Sequence, residues 1–251
     1  MAGDIAVLLG PTLPVAEART HLDALYLPPA EQGSVFRAVL DHRPAAIAIV
    51  DGAFAQRPAV RHKEILWAMS QGVEMHGAAS MGALRAAELA PCGMIGHGLI
   101  YRWYRRIPLA DDEEVAVGMT PPELGSAPLG EALVNMRLTL RRAARRGILA
   151  PLTRAALERL ARQQGFLDRS YPATIAAARA AGIAPAEIDA FEEWLPGNAV
   201  DAKRADTIAL LRHLATAPRT PLPRLPFELT EAWAADLEAA GQWDDYLAFP
   251  A

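Results

Sequence analysis

The stretch that decides the fold is residues 73–90, VEMHGAASMGALRAAELA. Residues 73–79 are apolar enough for a buried strand, and residues 81–90 have the alanine-rich composition of a helix. Glycine and alanine on both sides of Ser80 fit a tight turn between the two elements. We therefore expect a strand–turn–helix unit that places Ser80 at the carboxyl end of a strand.

The same alternation extends towards the N-terminus. Residues 5–10 and 45–50 are apolar runs that end in turn signals, and residues 25–27 predict a weaker strand. Helical patterns at 32–42 and 58–70 separate these runs. Such an order favours a parallel sheet covered on both faces, with its sites beyond the carboxyl ends of the strands. Those ends are Gly10-Pro11, Asp51-Gly52 and Ala79-Ser80.

The second half of the chain changes character after the Pro- and Gly-rich stretch 119–130. Candidate helices follow at 131–146, 153–163, 171–181, 185–194, 199–215 and 229–240. We expect an α/β fold in which a Rossmann-like parallel-sheet domain, residues 1–125, precedes a mainly α-helical region, residues 126–251. The change is either a domain division or the point where the sheet gives way to covering helices.

The composition limits the protein class. With 251 residues, a net charge of −4 and 52% hydrophobic residues, the chain is globular rather than disordered. Its near-neutral charge argues against a main role in coating nucleic acid. Neither a membrane-length apolar run nor the basic start of a signal peptide is apparent, and the single Cys92 excludes an intrachain disulfide. We expect a soluble, cytoplasmic protein.

Residues 78–82 approximate the nucleophile elbow G-x-S-x-G, with Ala78 in place of the first glycine. Ser80 is therefore a candidate nucleophile. The Met81 and Gly82 amides at the helix start are candidate donors to an oxyanion. The structural alternative is a helix N-cap, a position where serine is preferred without any chemistry.

Arg61, His62 and Lys63 lie early in the helix predicted over 58–70. Positive charge there opposes the helix dipole, so the group points to an anion site or to acid–base chemistry. In the alternative interpretation His62 is a core histidine on the face of Ile65, and Glu64 neutralises its neighbours.

Further polar residues have two interpretations each. Asp51 either reaches a site at the sheet edge or forms a turn with Gly52. Arg85 and Glu88 are a ligand clamp or an intrahelical ion pair. Residues 111–114, four consecutive acids, lack metal-ligand spacing and predict a solvated face or a helix start.

Two other patterns carry less information. Residues 93–98 depart from G-x-G-x-x-G and follow no predicted strand, which disfavours dinucleotide binding. The arginines of the helix at 131–146 form either an exposed helix surface or a docking face for an acidic partner. They are Arg137, Arg141, Arg142, Arg145 and Arg146.

Together these residues resemble the TfuA family. The most specific matching segments are His62-Lys63-Glu64-Ile65-Leu66 and Ser80-Met81-Gly82-Ala83-Leu84-Arg85. Shorter matches include Leu9-Gly10-Pro11, Asp51-Gly52, Asp111-Asp112-Glu113, Asn135-Met136-Arg137 and Asp201-Ala202-Lys203-Arg204.

The resemblance implies a role beside YcaO enzymes in thioamidation of a peptide backbone. TfuA-like proteins are understood to help deliver sulfur, in some systems by hydrolysing the C-terminal thiocarboxylate of a ubiquitin-like sulfur carrier. The implied partners are a YcaO protein, the sulfur carrier and a peptide substrate. We expect no cofactor, no metal, no nucleic acid and no membrane.

The resemblance also suggests roles for individual residues. Ser80 and the amides beside it would serve the tetrahedral intermediate of acyl transfer. His62 is the first choice for general acid or base and His76 the second. Asp51 would orient or polarise the reacting groups, and Lys63 or Arg85 would hold the carboxyl terminus of the sulfur carrier. The remaining expected binding residues are Gly10, Arg61 and Glu88.

Three alternatives stay open. In the first, water attacks the thiocarboxylate directly and Ser80 only donates a hydrogen bond. In the second, the protein is an adaptor that docks the sulfur carrier onto YcaO without chemistry. The third alternative is a nucleotide-binding regulator with Gly10-Pro11 and Ser80-Met81-Gly82 around a phosphate.

Overall fold

The structure is a computed structural model, and it describes residues 4–54, 57–107, 111–121, 124–217 and 225–249. Its central feature is a five-stranded sheet in which neighbouring strands are parallel. The strands are β1 (Ile5–Leu8), β2 (Leu25–Leu27), β3 (Ala46–Ile49), β4 (Glu74–Ala78) and β5 (Ile95–His97). The predicted α/β class is confirmed, since a mostly helical part follows the sheet.

Helices make up most of the remaining described structure. Those between and after the strands are α1 (Val15–Ala18), α2 (Ser34–His42), α3 (His62–Ser70), α4 (Met81–Leu89) and α5 (Gly98–Arg106). The others are α6 (Leu133–Arg145), α7 (Pro151–Gln163), α8 (Tyr171–Ala180), α9 (Pro185–Trp194), α10 (Ala202–Thr216), α11 (Glu231–Ala239) and α12 (Trp243–Ala248). In the described ranges, none of the helices combines the length and apolar content that crossing a membrane requires.

The strand order is β2-β1-β3-β4-β5, the order of a doubly wound sheet. The chain moves outward from β1 to β2 and then returns to β3 on the other side of β1. The switch point therefore lies between β1 and β3. Because Leu8 is in register with Ile49, and Ile49 with Gly77, the carboxyl ends of β1, β3 and β4 meet at one edge.

One face of the sheet is covered from a distant part of the sequence. Val7 and Ala48 belong to the same buried cluster as Leu210, Leu211 and Leu214 of α10. Every residue of β1 and β3 is buried, as expected for a parallel sheet with both faces covered.

Helix α4 packs against the opposite face, and two glycines allow its close approach. A Cβ on Gly82 would lie 1.7 Å from the Ile49 carbonyl oxygen, and a Cβ on Gly77 would lie 2.0 Å from the Gly82 carbonyl oxygen. No side chain fits at either position, so helix and strands are in backbone contact. This contact determines where the helix begins, and therefore where Ser80 lies.

Strand β5 was not predicted. The sequence pattern predicts no strand within residues 93–98, yet Ile95–His97 pairs in parallel with β4, with His76 opposite Ile95. It is short and half-buried, so it carries neither an apolar run nor a clear alternation. Its pairing with β4 supplies the order that its own composition lacks.

Contacts within the chain define two compact units, residues 1–109 with 204–251 and residues 110–203. The first contains the sheet, and the second has its own core that includes Leu140, Leu157 and Phe191. The division into domains that we expect from the sequence, at residues 1–125 and 126–251, stays a prediction.

Aromatic packing explains why the last helices belong to the sheet unit. Trp233 of α11 and Tyr246 of α12 lie within 6.4 Å, centroid to centroid, of the rings of Phe36 in α2 and Trp67 in α3. Phe249 lies 5.1 Å from Trp67. Large rings of this kind contribute much buried apolar area, so the segment holds α2 and α3 together.

We predict that Gly82→Ala destabilises the protein by roughly 2–3 kcal/mol, because the new methyl group forces α4 away from β3. Urea denaturation measures the change. Gly165→Ala is the matched control, since nothing lies within 4 Å of a Cβ there, and it should change the free energy of unfolding by less than about 0.5 kcal/mol. Equal effects of the two substitutions would contradict the close contact.

Candidate active site

The turn before Ser80 is strained. Ala79 has φ +65°, a left-handed conformation that costs a non-glycine residue energy. The Ser80 amide donates to the Ala78 carbonyl oxygen at 2.8 Å, which closes a three-residue γ-turn of the rare kind with positive φ. Such strain at a strand end persists only where the surrounding contacts enforce it.

Ser80 precedes α4 at the N-cap position, but its side chain does not cap the helix. It has φ −117° and ψ −126°, and it is 2% exposed. The structural alternative, a serine retained for capping, is therefore not what the geometry shows. The strained turn and the buried hydroxyl form an elbow-like arrangement at the carboxyl end of β4.

The two candidate oxyanion donors differ. The Gly82 amide donates to the Val50 carbonyl oxygen at 3.2 Å, so it joins α4 to the sheet. Met81 is the first residue of α4, and the first N–H groups of a helix have no partner within it. The geometry thus favours the Met81 amide for this role and gives Gly82 a packing role.

Asp51 binds the loop that follows β1. Its carboxylate accepts the Gly10 amide at 2.9 Å, the Thr12 amide at 3.0 Å and the Thr12 hydroxyl at 2.5 Å. In nucleotide-binding α/β folds, amides of the first strand–helix loop hold phosphate. Here a buried carboxylate takes that position, which argues against the nucleotide-binding alternative and places Asp51 and Gly10 in one hydrogen-bonded unit.

Glu64 is a double helix cap rather than a counter-ion for its neighbours. Its buried carboxylate accepts amides from Gly33 and Val35 at the start of α2 and from Arg61 before its own helix. Burial raises the pKa of Glu64 to about 7, against the opposing effect of these backbone hydrogen bonds.

His62, Arg85 and Glu88 come together on the outside of α3 and α4. The His62 Nε2 atom and an Arg85 guanidinium nitrogen each lie 2.7 Å from the same oxygen of Glu88. Burial raises the pKa of Glu88, but His62 and Arg85 outweigh it, so the pKa lies below its usual value. With its side chain 45% exposed, His62 is not a core residue.

The cluster around Glu88 is separate from the Ser80 turn. Ser80 and Glu88 are eight residues apart along α4, which is about 12 Å of helix axis. His62 is bonded to Glu88, so the structure does not bring it to the Ser80 hydroxyl as an adjacent base. The sequence analysis named His62, Arg85, Glu88 and Ser80 as candidates, but it gave no distances between them.

Arg61 and Lys63 have different environments. Arg61 lies 3.5 Å from an oxygen of Asp236. The Lys63 ammonium is 5.9 Å from the centroid of the Phe227 ring. No carboxylate of the described residues pairs with Lys63, so this cation remains able to receive an anion.

A cluster of histidines was largely missed by the sequence analysis. His76 Nδ1 and His97 Nε2 are 3.0 Å apart, and the His213 ring lies 4.8 Å from the His97 ring, centroid to centroid. Burial lowers the pKa of both His76 and His97 to about 4, so both rings are neutral near pH 7. Only the pairing of β4 with β5 and the return of α10 to the sheet bring them together.

The acidic stretch 111–114 is not a solvated face throughout. Asp111 caps a short 3₁₀ turn, as the helix-start interpretation expects. Glu114, however, is buried and accepts two hydrogen bonds from Arg137 at 2.8 and 3.0 Å. The other arginines of α6 and of its C-cap are exposed, namely Arg141, Arg142, Arg145 and Arg146.

Comparison with protein-family models matches residues 51–170 to the family described as TfuA-like protein. The match covers a little under half of the chain. It begins at Asp51 and includes His62, Lys63 and Ser80, and it supports the resemblance to the TfuA family. A search of curated proteins found no match.

We predict that Glu64 makes stability fall as the pH rises. Because its folded pKa of about 7 lies above its ordinary 4.5, its contribution is greatest below pH 4.5 and is lost towards pH 7. At about 1.4 kcal/mol per pH unit, the loss is on the order of 3 kcal/mol. Urea denaturation of wild type and Glu64→Gln between pH 4.5 and 7.5 should show the stability difference shrinking by this amount.

The control for this series is Gln163→Ala, which replaces an exposed amide at the end of α7. Because neither side chain titrates, the stability difference from wild type should stay constant across the range. A constant difference for Glu64→Gln as well would contradict a pKa of Glu64 that is higher in the folded state than in the unfolded chain.

Proposed function

We propose that this protein delivers sulfur for YcaO-dependent thioamidation of a peptide backbone. It does so by hydrolysing the C-terminal thiocarboxylate of a ubiquitin-like sulfur carrier. The strained turn at Ala79 carries the chemical part of this proposal, because it exists at a strand end without serving helix capping. The match of residues 51–170 to TfuA-like proteins supplies the biological context.

In the proposed reaction the Ser80 hydroxyl attacks the thiocarboxylate carbon. The new C–O bond forms, the C–S bond breaks, and the serine proton leaves with the sulfur as HS⁻. Water then hydrolyses the acyl-serine ester, which restores the hydroxyl and releases a carboxylate and a proton. The substrate sulfur accepts the first proton, so this route does not depend on an imidazole next to Ser80.

Acyl transfer develops negative charge on the carbonyl oxygen. The proposed donor to this oxyanion is the Met81 amide at the start of α4. Gly82, whose amide is bonded to Val50, contributes by keeping that helix start against the sheet. Ser80 is buried, so the carrier tail has to open the strand ends locally before attack.

Lys63 is the proposed recognition cation for the anionic end of the carrier. The neighbouring basic side chains already have carboxylate partners, since Arg61 lies close to Asp236 and both His62 and Arg85 contact Glu88. A thiocarboxylate that displaced one of them would leave a carboxylate unpaired. Lys63 carries no such cost within the described residues.

The other predicted residues have supporting roles in this proposal. Asp51 holds the loop after β1 through the amides of Gly10 and Thr12 and does not touch the substrate. His62, Arg85 and Glu88 form a half-exposed polar surface along which the carrier tail docks. A YcaO protein and its peptide substrate consume the released sulfide.

We predict that catalytic amounts of the protein convert a thiocarboxylated carrier to its carboxylate with release of sulfide. Mass spectrometry with parallel sulfide detection follows both products. Ser80→Ala should lower kcat at least about a thousandfold. Lys63→Ala should raise KM about tenfold with little change in kcat, the loss of about 1.4 kcal/mol of binding.

Two matched controls accompany these variants. Ser70→Ala removes another buried hydroxyl, which donates to the Trp67 carbonyl oxygen away from the turn. Arg141→Ala removes an exposed positive charge from α6. If Ser80→Ala still converts the carrier, serine is not the nucleophile and water attacks the thiocarboxylate directly. If wild type binds YcaO but converts nothing, the protein is an adaptor.

A further inference from the structure

Helices α6 and α7 concentrate positive charge in one part of the chain. Residues 133–163, which we call the basic hairpin, contain eight arginines, a single glutamate and no aspartate, lysine or histidine. Their formal charge is therefore +7, whereas the whole chain has a net charge of −4. Since the rest of the sequence then has a charge of −11, the basic hairpin differs in sign from the remainder of the protein.

Two arginines of the basic hairpin are neutralised within the protein. Arg137 donates to both carboxylate oxygens of Glu114, at 2.8 and 3.0 Å, and it also pairs with Glu158. Arg154 bonds to the other oxygen of Glu158. These ion pairs join α6 to α7, so Arg137 and Arg154 serve the structure of the hairpin.

Most of the other arginines have no such partner. Five exposed guanidinium groups of the basic hairpin pair with no carboxylate of the described residues. They belong to Arg141, Arg145, Arg146, Arg159 and Arg162. A sixth, that of Arg142, donates to the carbonyl oxygen of Asn198 at 3.2 Å. The outer surface of the hairpin is therefore rich in cations that the described structure does not balance.

Helix stability does not explain this number of cations. Positive charge in the last turn of a helix offsets its dipole, and Arg145 of α6 has that position. However, Arg141 and Arg145 are four residues apart, as are Arg142 and Arg146, and like charges at this spacing destabilise a helix. A surface that departs from the local rules of stability in this way is typical of a binding site.

An exposed apolar side chain lies at the same end of the basic hairpin. The connection 146–150 is short, so α7 returns along α6, and the Arg137–Glu158 ion pair sets the register of the two helices. Two turns beyond Arg137, Arg145 is then close to the start of α7, where Leu152 is 85% exposed. This end therefore combines guanidinium groups with one apolar contact.

We propose that the end of the basic hairpin around Arg141, Arg145 and Leu152 binds an acidic polypeptide segment of a partner protein. Guanidinium groups bind carboxylates through two parallel hydrogen bonds, which suits Asp and Glu side chains. Arg141 and Arg145 share one face of α6 and engage successive carboxylates of the segment. Leu152 packs against an apolar side chain of the same segment. The inference does not depend on the proposed hydrolysis.

The composition of the hairpin favours a polypeptide over a nucleic acid. Single-stranded nucleic acids are commonly bound through aromatic side chains that stack on the bases. Residues 133–163 contain no Phe, Trp or Tyr. A long phosphate backbone is also repelled by the acidic remainder of the chain. A short acidic segment needs only the few guanidinium groups at one end of the hairpin.

The test is fluorescence anisotropy of the full chain with a fluorescein-labelled peptide of repeated Glu-Glu-Leu. We expect saturable binding that weakens as salt is added. The double variant Arg141→Gln/Arg145→Gln should weaken binding at least about fivefold, and Leu152→Ser should weaken it about threefold. The matched control, Arg102→Gln/Arg106→Gln, removes two exposed arginines of α5 and should leave binding unchanged.

Thermal denaturation separates a role in binding from a role in folding. Glutamine is a good helix former and the double variant removes a like-charge pair from α6. Arg141→Gln/Arg145→Gln should therefore melt at the temperature of wild type or above it, although it binds the peptide less tightly. A lower melting temperature would show that these arginines serve the fold, and it would contradict the proposal.

Three further results would overturn the proposal. They are the absence of saturable peptide binding by wild type, an equal loss of binding in the two double variants, and equal binding of a Gln-Gln-Leu peptide. Oligothymidylate of the same charge is the competitor, and if it binds more tightly than the acidic peptide the surface is one for nucleic acid. The hydrolysis of thiocarboxylate is measured without the peptide, so the two proposals succeed or fail independently.

Discussion

The backbone contact between α4 and β3 is the constraint on which the candidate site depends. Gly82 lies so close to the Ile49 carbonyl that no side chain fits between them, and its amide bonds to Val50. A helix held this near to the sheet leaves little room for the connection from β4. The chain makes that connection with a strained turn at Ala79 and buries Ser80 at its end. The position of the proposed nucleophile is thus a consequence of close packing.

Buried carboxylates organise the rest of the sheet unit. Asp51 holds the loop after β1, Glu64 caps α2 and its own helix, and Asp206 of α10 accepts the amides of Leu99 and Ile100 at the start of α5. Each of them satisfies backbone N–H groups that would otherwise be buried without partners. Carboxylates that bind backbone amides therefore maintain the architecture, whereas Lys63 pairs with no carboxylate of the described residues.

Much of the fold could be predicted from local patterns. Apolar runs identified the strands around Val7, Ala48 and His76, and helical spacing identified most of the helices. Strand β5 was not predicted because this short glycine-rich segment forms a strand only through its pairing with β4. The site was predicted less completely. The segments that contain Ser80, His62 and Glu88 stood out, but spacing along a chain does not give the distance between two helix faces.

The sequence by itself determined the α/β class, the parallel sheet and the position of Ser80 at a strand end, because these follow from periodicity and turn chemistry within a few residues. Only the tertiary structure decided the roles of the polar side chains. Glu64 became a cap, Asp51 a loop anchor, and His213 a neighbour of His97 more than a hundred residues away. The physical reason is that burial and hydrogen-bond partners depend on which elements pack together, and that packing joins residues distant in the chain.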